Sequence, residues 1–505
     1  MKAAIILLTA TCAVAQMKEI SRAALRDKIE GGWAGQMIGV SFGAPTEFRS
    51  NAKINTAELP KWTPDRVSNS LDQDDLYVDM TFAKVLDDKG LDATTADFGA
   101  MFREAKYHLW HANLAARRAL KRGVPAEKSG TPEFNVHAND IDFQIEADFI
   151  GLMTPGLPQS ANEIAWRAGR VMNYGDGIYG GMFISGMYAA AFLESDPRKV
   201  VVAGLASIPG KSAYGQLISD VLNWSKEHPD DWQKVWQMIE DKWDKDEPCP
   251  EGALKPFNID AKLNGAYVAL GLLYGNRDFG KTIEVATRAG QDSDCNPASA
   301  GGILGVMLGY KAIPEEWKSG IDGIADKKFS YTDFNFHTIN DSTEKRTLAL
   351  IQKTGGRVDG DKVLIKTQSP KAPKLEAWND YGKPAERIAI DNPAWRWNGT
   401  WRVTRQTKAS SEKNAAASIE FQGTGFIVVG PYTPNGGTAD VYLDDKLVKT
   451  IDVFSDEDSA KGGESVYHRF HLANTRHTVR LVVRAEPYPG SKGAEIGITD
   501  LVVFR

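Results

Sequence analysis

The stretch Gly290-Gln291-Asp292-Ser293-Asp294-Cys295-Asn296-Pro297-Ala298-Ser299-Ala300-Gly301-Gly302 couples a tight acidic turn to an apolar, small-residue run. Pro297 suits the first position of a helix, where its fixed φ fits and its missing N–H costs nothing. The spacing predicts a helix over 298–307 that stops at Gly309. Within it Ala298, Gly302, Gly305 and Gly309 recur at three- and four-residue steps. Glycine in a helix interior costs about 1 kcal/mol relative to alanine, so repeated use points to close helix–helix contact or to room for a ligand. Gly31, Gly35 and Gly39 repeat the habit inside another helical run, 21–37, which carries Leu25, Ile29, Trp33 and Met37 on one face.

Working outward, further helices are expected over 76–86, 164–172, 180–192 and 214–224, with Gly90 and Gly210 as stops. Residues 16–353 therefore read as an all-α domain. Residues 354–376 are rich in Lys, Gly and Pro without a clear period, and read as a linker or a boundary strand. Beyond them, 377–505, short β-rich runs follow one another: 419–421, 426–429, 439–443, 446–451, 468–472, 478–483 and 498–504. Gly423-Thr424-Gly425, Asn435-Gly436-Gly437 and Asp444-Asp445 supply the turns. The second domain is expected to be an all-β sandwich of the jelly-roll kind. Trp395, Trp397 and Trp401 at its start would stack on sugar faces if exposed; burial in the core is the better reading, because aromatic side chains at strand entry bury large area.

Three acidic clusters stand in the helical part: Glu47 on a turn after Gly43 and Pro45, Asp72-Gln73-Asp74-Asp75 before a helix, and Asp292-Ser293-Asp294 before another. Each alone reads first as a helix cap, because a carboxylate accepts from orphan amides. A cap needs one carboxylate, however, and adjacent extra ones repel. Paired oxygens on tight turns are how hard cations are held. The eight histidines are scattered without a ligand spacing, so zinc is not expected at these clusters.

Gly39 to Phe48 resembles the GDALGAPVEF signature of the ADP-ribosylglycohydrolase superfamily. Gln73-Asp74-Asp75 and Gly290 to Cys295 are similar to its two other acidic elements, in family order. The resemblance covers roughly residues 18–350 and implies an all-helical fold with one or two Mg²⁺ ions, Mn²⁺ or Ca²⁺ being alternatives. It implies that Gln73, Asp74, Asp75 and Asp294 surround one metal, and that Asp292, Asp294 and Cys295 surround the other. Glu47, or Asp75 beside it, would be the catalytic acid/base. Departures are evident: Val40 replaces an Asp, while Gln73, Leu76 and Cys295 each replace a Thr. A thiol is a poor partner for a hard cation. The second domain resembles galactose-binding-like accessory domains of secreted glycosidases in Gly423-Thr424-Gly425-Phe426 and the run Asp440 to Asp444.

Two weaker signals remain. The alternation Asp140 to Asp148 would put Asp142, Gln144, Glu146 and Asp148 on one side of an extended segment, either a substrate-binding face or a solvated strand. Tyr174 and Asp176, before a small-residue helix, form either a substrate loop or a helix-entry turn capped by Asp176.

The N-terminus carries its own pattern. Lys2, an apolar stretch and Ala13-Val14-Ala15 read as a signal peptide cleaved after Ala15, implying secretion or a periplasmic location. Cys12 lacks a proper lipobox before it. Cys249 and Cys295 remain, enough for one disulfide. With 60 basic and 66 acidic side chains and no basic half, a nucleic-acid partner has no electrostatic support, and no later stretch reads as a membrane span. The family resemblance implies hydrolysis at an anomeric carbon, and the signal peptide and β-domain favour an extracellular or periplasmic glycan or glycoside as its substrate. An ADP-ribosyl hydrolase and a non-catalytic carbohydrate-binding protein are the alternatives.

Overall fold

A computed structural model describes residues 16–245 and 247–505. The expected signal peptide lies outside them. Two helices form the axis of the first domain, Arg22–Gly43 and Cys295–Leu308. Their glycines meet backbone to backbone. A Cβ at Gly35 would stand 2.2 Å from the Gly301 carbonyl oxygen, and one at Gly39 would stand 2.0 Å from that of Pro297. The seam therefore admits no side chain, and the helix stability that glycine forfeits is offset by closer packing of the two rods. The seam runs through Pro297, Gly301 and Gly305, one residue off the Ala298/Gly302 row that the sequence suggested. The helix also begins earlier than expected, so Pro297 is its third residue rather than its first.

The remaining helices wrap this pair and bury an extended apolar core that includes Trp33, Phe82, Phe149, Tyr188 and Ile303. Asp74–Lys89, Pro158–Gly169, Asp176–Ala191 and Ala213–Glu227 stand where apolar periodicity placed helices. Gly90 and Gly309 end their helices at φ +87° and +84°, a region glycine enters without strain. Gly210 does not cap one, since the preceding helix Pro197–Ala206 has already ended. The chain enters on a strand rather than a helix: Met17–Ser21 pairs antiparallel with Lys362–Lys366, which also pairs with Arg357–Asp359. The stretch 354–376 thus returns to the start of the chain before it leaves for the second domain.

That domain is a two-layer antiparallel sandwich. One sheet runs Lys446–Asp452, Gly437–Leu443, Thr475–Pro487, Ala416–Gly423, Arg396–Asn398; the other runs Lys461–Arg469, Gly425–Tyr432, Asp500–Phe504, Pro384–Ala389. Inward residues such as Ala439, Val441, Val479 and Leu481 alternate with outward polar ones, the period-2 signature of a half-buried sheet. Trp395 is buried in this core and Trp397 packs on it, ring centroids 5.3 Å apart. The run expected over 498–504 breaks at Thr499: Ile496–Ile498 joins a small three-stranded sheet with Thr407–Ser410 and Arg402–Thr404, while Asp500–Phe504 joins the four-stranded one; the run expected over 468–472 is displaced to Lys461–Arg469.

The sandwich is docked firmly. Arg118 and Arg122 both bond Asp452, at 2.7 and 2.9 Å, and Arg117 meets Glu457 at 2.6 Å. An apolar contact joins Val136 and Ala253 to Trp378, Ile427 and Phe504. No helix among the described residues is long and apolar enough to cross a membrane.

Candidate functional site

The glycine seam positions the site. Because the two axial helices touch along their length, the turn before the second (Asp292 to Asp294) lies at the exit of the first. Thr46 Oγ1 and Ser293 Oγ are 2.8 Å apart, and the Phe48 amide donates to the Gln291 carbonyl at 3.1 Å. Glu47 is thereby laid over the turn Asp292 to Asp294. The Asp74-Asp75 cluster arrives on the helix Asp74–Lys89, whose first turn Gln36 fixes by donating to the Asp75 carbonyl at 3.3 Å and to Asp148 at 2.8 Å. Glu47, Asp292 and Asp294 offer oxygens all within 4.8 Å of one another, and Asp75, Asp294 and Cys295 offer a second such group. Asp294 is common to both. All three sequence clusters converge on one crevice of about 380 Å³, which Gln73, Asp74, Tyr77 and Asp142 also line.

The capping explanation does not account for them. Asp294 is the residue before its helix, yet its side chain makes no capping bond, and neither does Gln73 before the helix Asp74–Lys89. One carboxylate oxygen each of Asp75, Asp292 and Asp294 is buried without a hydrogen-bond partner. Such groups cost free energy unless something else satisfies them. Burial, then the charge of Asp294, pushes Asp74 up to about 6; burial, then Asp294 and Asp74, pushes Glu47 up to about 8, although Glu47 stands at the crevice mouth. Asp75 and Asp292 rise well above the usual carboxylate range for the same reasons: burial first, then the neighbouring aspartates. Carboxylates packed this closely without a countercharge cannot all ionise. A bound cation inverts that balance.

Cys295 Sγ lies 3.4 Å from Asp75 Oδ2, so the thiol is inside the cluster and not merely beside it. Leu76 is buried in the apolar core and offers no ligand. Gln73 donates its amide N–H to Asn69 at 3.0 Å, which leaves its carbonyl oxygen as the atom available to a metal.

The other expected residues separate. Asp142 lines the crevice and accepts from the Asn113 amide at 2.9 Å, but Gln144 bonds the Tyr214 hydroxyl at 2.7 Å inside the helical core. The extended reading of Asp140 to Asp148 is overturned: the stretch forms helical turns, Asp142–Ile145 and Asp148–Leu152. Every residue from 135 to 157 is buried, so alternation there does not sort an inner face from an outer one. Asp176 faces a different cavity, of about 290 Å³, together with Lys262 and Glu376. It does not cap its helix; Gly175 does, at φ +55°. Tyr174 packs edge-on against Tyr381, 6.0 Å between centroids, and belongs to the contact with the second domain. Cys249 and Cys295 are both free thiols, so the disulfide the count allowed is not formed.

Sequence reasoning missed Trp110, His111 and Asn113, which form a crevice wall at the start of the helix His111–Lys121. His111 has φ +46°, a left-handed conformation that costs a residue with a Cβ roughly 1–3 kcal/mol and is held only where its surroundings impose it. The second domain does so: Glu457 accepts from the Leu109 amide at 3.3 Å, and Lys461 Nζ sits 4.4 Å from the Trp110 ring centroid. No local pattern announced these residues.

The fold and site define a helical hydrolase-type domain with a carboxylate crevice, carrying an all-β companion. The chain belongs to the ADP-ribosylglycohydrolase family, whose model matches residues 21–348. An A type blood alpha-D-galactosamine galactosaminidase from Flavonifractor plautii is 37% identical over 152 residues, which is 30% of this chain and 13% of that one. The chain therefore spans about an eighth of that relative's length. Among solved structures, an ADP-ribosylglycohydrolase-related protein complex is similar over 64% of this chain and 98% of its own, at 17% identity and a TM-score of 0.42. The CBM36-1 domain of a multidomain xylanase from the hindgut metagenome of Trinervitermes trinervoides is similar over 23% of this chain and 94% of its own, at 16% identity and a TM-score of 0.18.

Proposed function

We propose that the chain is a divalent-metal-dependent hydrolase that cleaves a glycosidic bond of an extracellular or periplasmic glycan or glycoside, with Mg²⁺ as its metal. The observation that carries the reading is the convergence of Glu47, Asp74, Asp75, Asp292 and Asp294 on one crevice, with a buried, unpartnered oxygen on each of Asp75, Asp292 and Asp294. A donor set dominated by carboxylates suits a hard cation rather than zinc. Asp74, Asp75, Asp292, Asp294 and the Gln73 carbonyl are the groups that would hold it, with Cys295 the one ill-matched neighbour. When bound, such an ion supplies a positive field that orients sugar hydroxyls and stabilises negative charge on oxygen.

The chain's own groups account for the rest. Trp110 and Phe48, both substantially exposed at the crevice mouth, present apolar faces against which a sugar ring stacks. Asp142, with one oxygen unpartnered, is placed to accept from a sugar hydroxyl. Glu47 engages in no ion pair among the described residues and is an exposed carboxyl at the crevice mouth that shares the ligand group of Asp292 and Asp294. It is therefore the group positioned to hand a proton to the departing oxygen or take one from the attacking water. Asp75, deeper and in contact with Cys295, is better suited to holding a metal than to moving protons. The relative named as a galactosaminidase supports a carbohydrate substrate over a protein-linked ADP-ribose. The deciding experiment measures sugar release from a panel of α- and β-galactosaminides and other glycosides, beside ADP-ribosylated protein, with Mg²⁺ and with chelator. Mg²⁺-dependent release from a glycoside is expected; release of ADP-ribose alone would overturn the substrate class, and release unaffected by chelation would overturn the metal.

A further inference from the structure

A second group of ligand-type side chains lies at the boundary between the helical domain and the sandwich, behind the crevice wall. His137, Asp140 and Cys249 are almost wholly buried. His137 Nδ1 is 3.0 Å from Asp140 Oδ2 and 3.1 Å from Cys249 Sγ, and that sulfur is 3.4 Å from the same carboxylate oxygen. His111 closes the set from the crevice side, its Nδ1 3.8 Å from Asp140 Oδ2, and the ligand atoms of His111, His137 and Asp140 all lie within 4.8 Å of one another. Zinc–nitrogen and zinc–sulfur bonds of about 2.1 and 2.3 Å place tetrahedral ligand atoms about 3.3–3.8 Å apart, and the contacts among His137, Asp140 and Cys249 and from His111 to Asp140, 3.0–3.8 Å, lie close to that range.

We infer that His111, His137, Asp140 and Cys249 form a structural Zn²⁺ site that locks the sandwich against the wall of the crevice. Two neutral imidazoles, one carboxylate and one thiolate balance the ion's two positive charges, giving a neutral unit suited to a sealed interior. The outer group fits as well. His137 turns its other ring nitrogen toward Glu464 of the sandwich at 3.5 Å. Carboxylates behind ligating imidazoles fix the tautomer and raise ligand basicity. Glu464 lies on the strand Lys461–Arg469, so the ion would tie that strand to the residue before Ala112 in the crevice wall. The donor set is mixed nitrogen, oxygen and sulfur, which separates it chemically from the oxygen-rich crevice and makes it independent of the activity proposed there.

The test uses the full chain, loaded with Zn²⁺ and dialysed against Mg²⁺ buffer before metal analysis. One retained equivalent of zinc per chain is expected; none retained overturns the site. Replacing zinc with Co²⁺ should give a thiolate-to-cobalt charge-transfer band that Cys249→Ser abolishes and Cys295→Ser leaves. A band lost with Cys295→Ser but kept in Cys249→Ser would place the metal in the crevice and end the proposal. Because Cys249→Ser can fail to fold, Glu464→Gln provides a second variant: with circular dichroism unchanged, its zinc affinity should fall about 10–100-fold. An unaltered affinity would overturn the role of the sandwich in the site.

Discussion

The carboxylate crevice and the buried His137–Asp140–Cys249 cluster share a wall, since His111 lines the first and reaches into the second. Their chemistry is opposite. The crevice offers oxygen after oxygen from Asp75, Asp292, Asp294 and Glu47, with one sulfur, and opens to solvent through Glu47. The inner cluster mixes nitrogen, oxygen and sulfur and is closed except at His111. An open, hard site is what a reaction needs; a closed, softer one is what a structure needs. The two are also assembled differently. The crevice comes from contiguous turns brought together by a glycine seam, whereas the inner cluster comes from single residues at 111, 137, 140 and 249.

The largest break in this contrast should come from Asp294→Asn. Asp294 belongs to both ligand groups of the crevice and caps nothing. Its loss should cost more than the roughly 10–100-fold that removal of an outer-shell partner brings. Turnover and Mg²⁺ affinity, the latter by calorimetry, should collapse together, while zinc content stays at the wild-type level. Full activity in this variant, or activity insensitive to chelation, would sink the assignment.

Next in size is Gly35→Val. A Cβ there meets the Gly301 carbonyl, which is backbone and cannot swing aside. Forcing the axial helices apart should lower stability by about 1–3 kcal/mol or more, the usual cost of overpacking. The turn Asp292 to Asp294 should then lose its register with Glu47. The expected readout is a lower melting temperature with weakened Mg²⁺ binding, and little change at the inner cluster, which hangs on neither helix. A variant as stable as the parent would show that the seam is looser than drawn.

Why one cluster was legible and the other was not follows from how each is encoded. Asp74-Asp75 and Asp292-Ser293-Asp294 announce themselves because like charges stand side by side on the chain, and the four-residue glycine spacing declares a close contact without naming the partner. The sandwich strands showed where one face is wet: Gly437–Leu443 alternates, and its turn Asp444-Asp445 takes positive φ at both residues. The stretch Asp140 to Asp148 failed for the converse reason. It alternates, yet lies wholly inside, where polar residues pair with Asn113, Gln36 and Tyr214 instead of facing water. His111 and Cys249 carry no spacing at all; only folding gives them neighbours.

A smaller effect distinguishes the junction by pH. Burial alone would raise Asp452, but Arg118 and Arg122 hold it below the usual aspartate range. A depressed folded value means the contact's contribution is complete above the unfolded aspartate value of about 3.9 and is lost as pH falls through the folded one. Acidification below about pH 4 should therefore loosen the sandwich from the helix His111–Lys121, visible as increased scattering radius or new proteolytic cleavage. In Asp452→Asn the same looseness should be present at neutral pH and lack that acid dependence. Identical pH profiles for the two proteins would remove Asp452 from the docking contact.

The smallest expected change tests the one soft atom in the hard site. Cys295 Sγ touches Asp75 and sits among the crevice ligands, where Mg²⁺ gains little from a thiol that burial, then Asp292 and Asp294, keeps protonated. Cys295→Ser exchanges it for an oxygen of similar reach at the first position of the helix Cys295–Leu308. Mg²⁺ affinity should tighten severalfold, worth less than about 1.4 kcal/mol because tenfold is the scale of that energy, and affinity for thiophilic Cd²⁺ should weaken. The comparison sharpens here because the same exchange at Cys249 is expected to act in reverse, removing the donor on which the inner cluster depends. If Cys295→Ser weakened Mg²⁺ instead, the sulfur would be shaping the crevice through its contact with Asp75, and the hard-versus-soft division between the two clusters would have to be redrawn around packing.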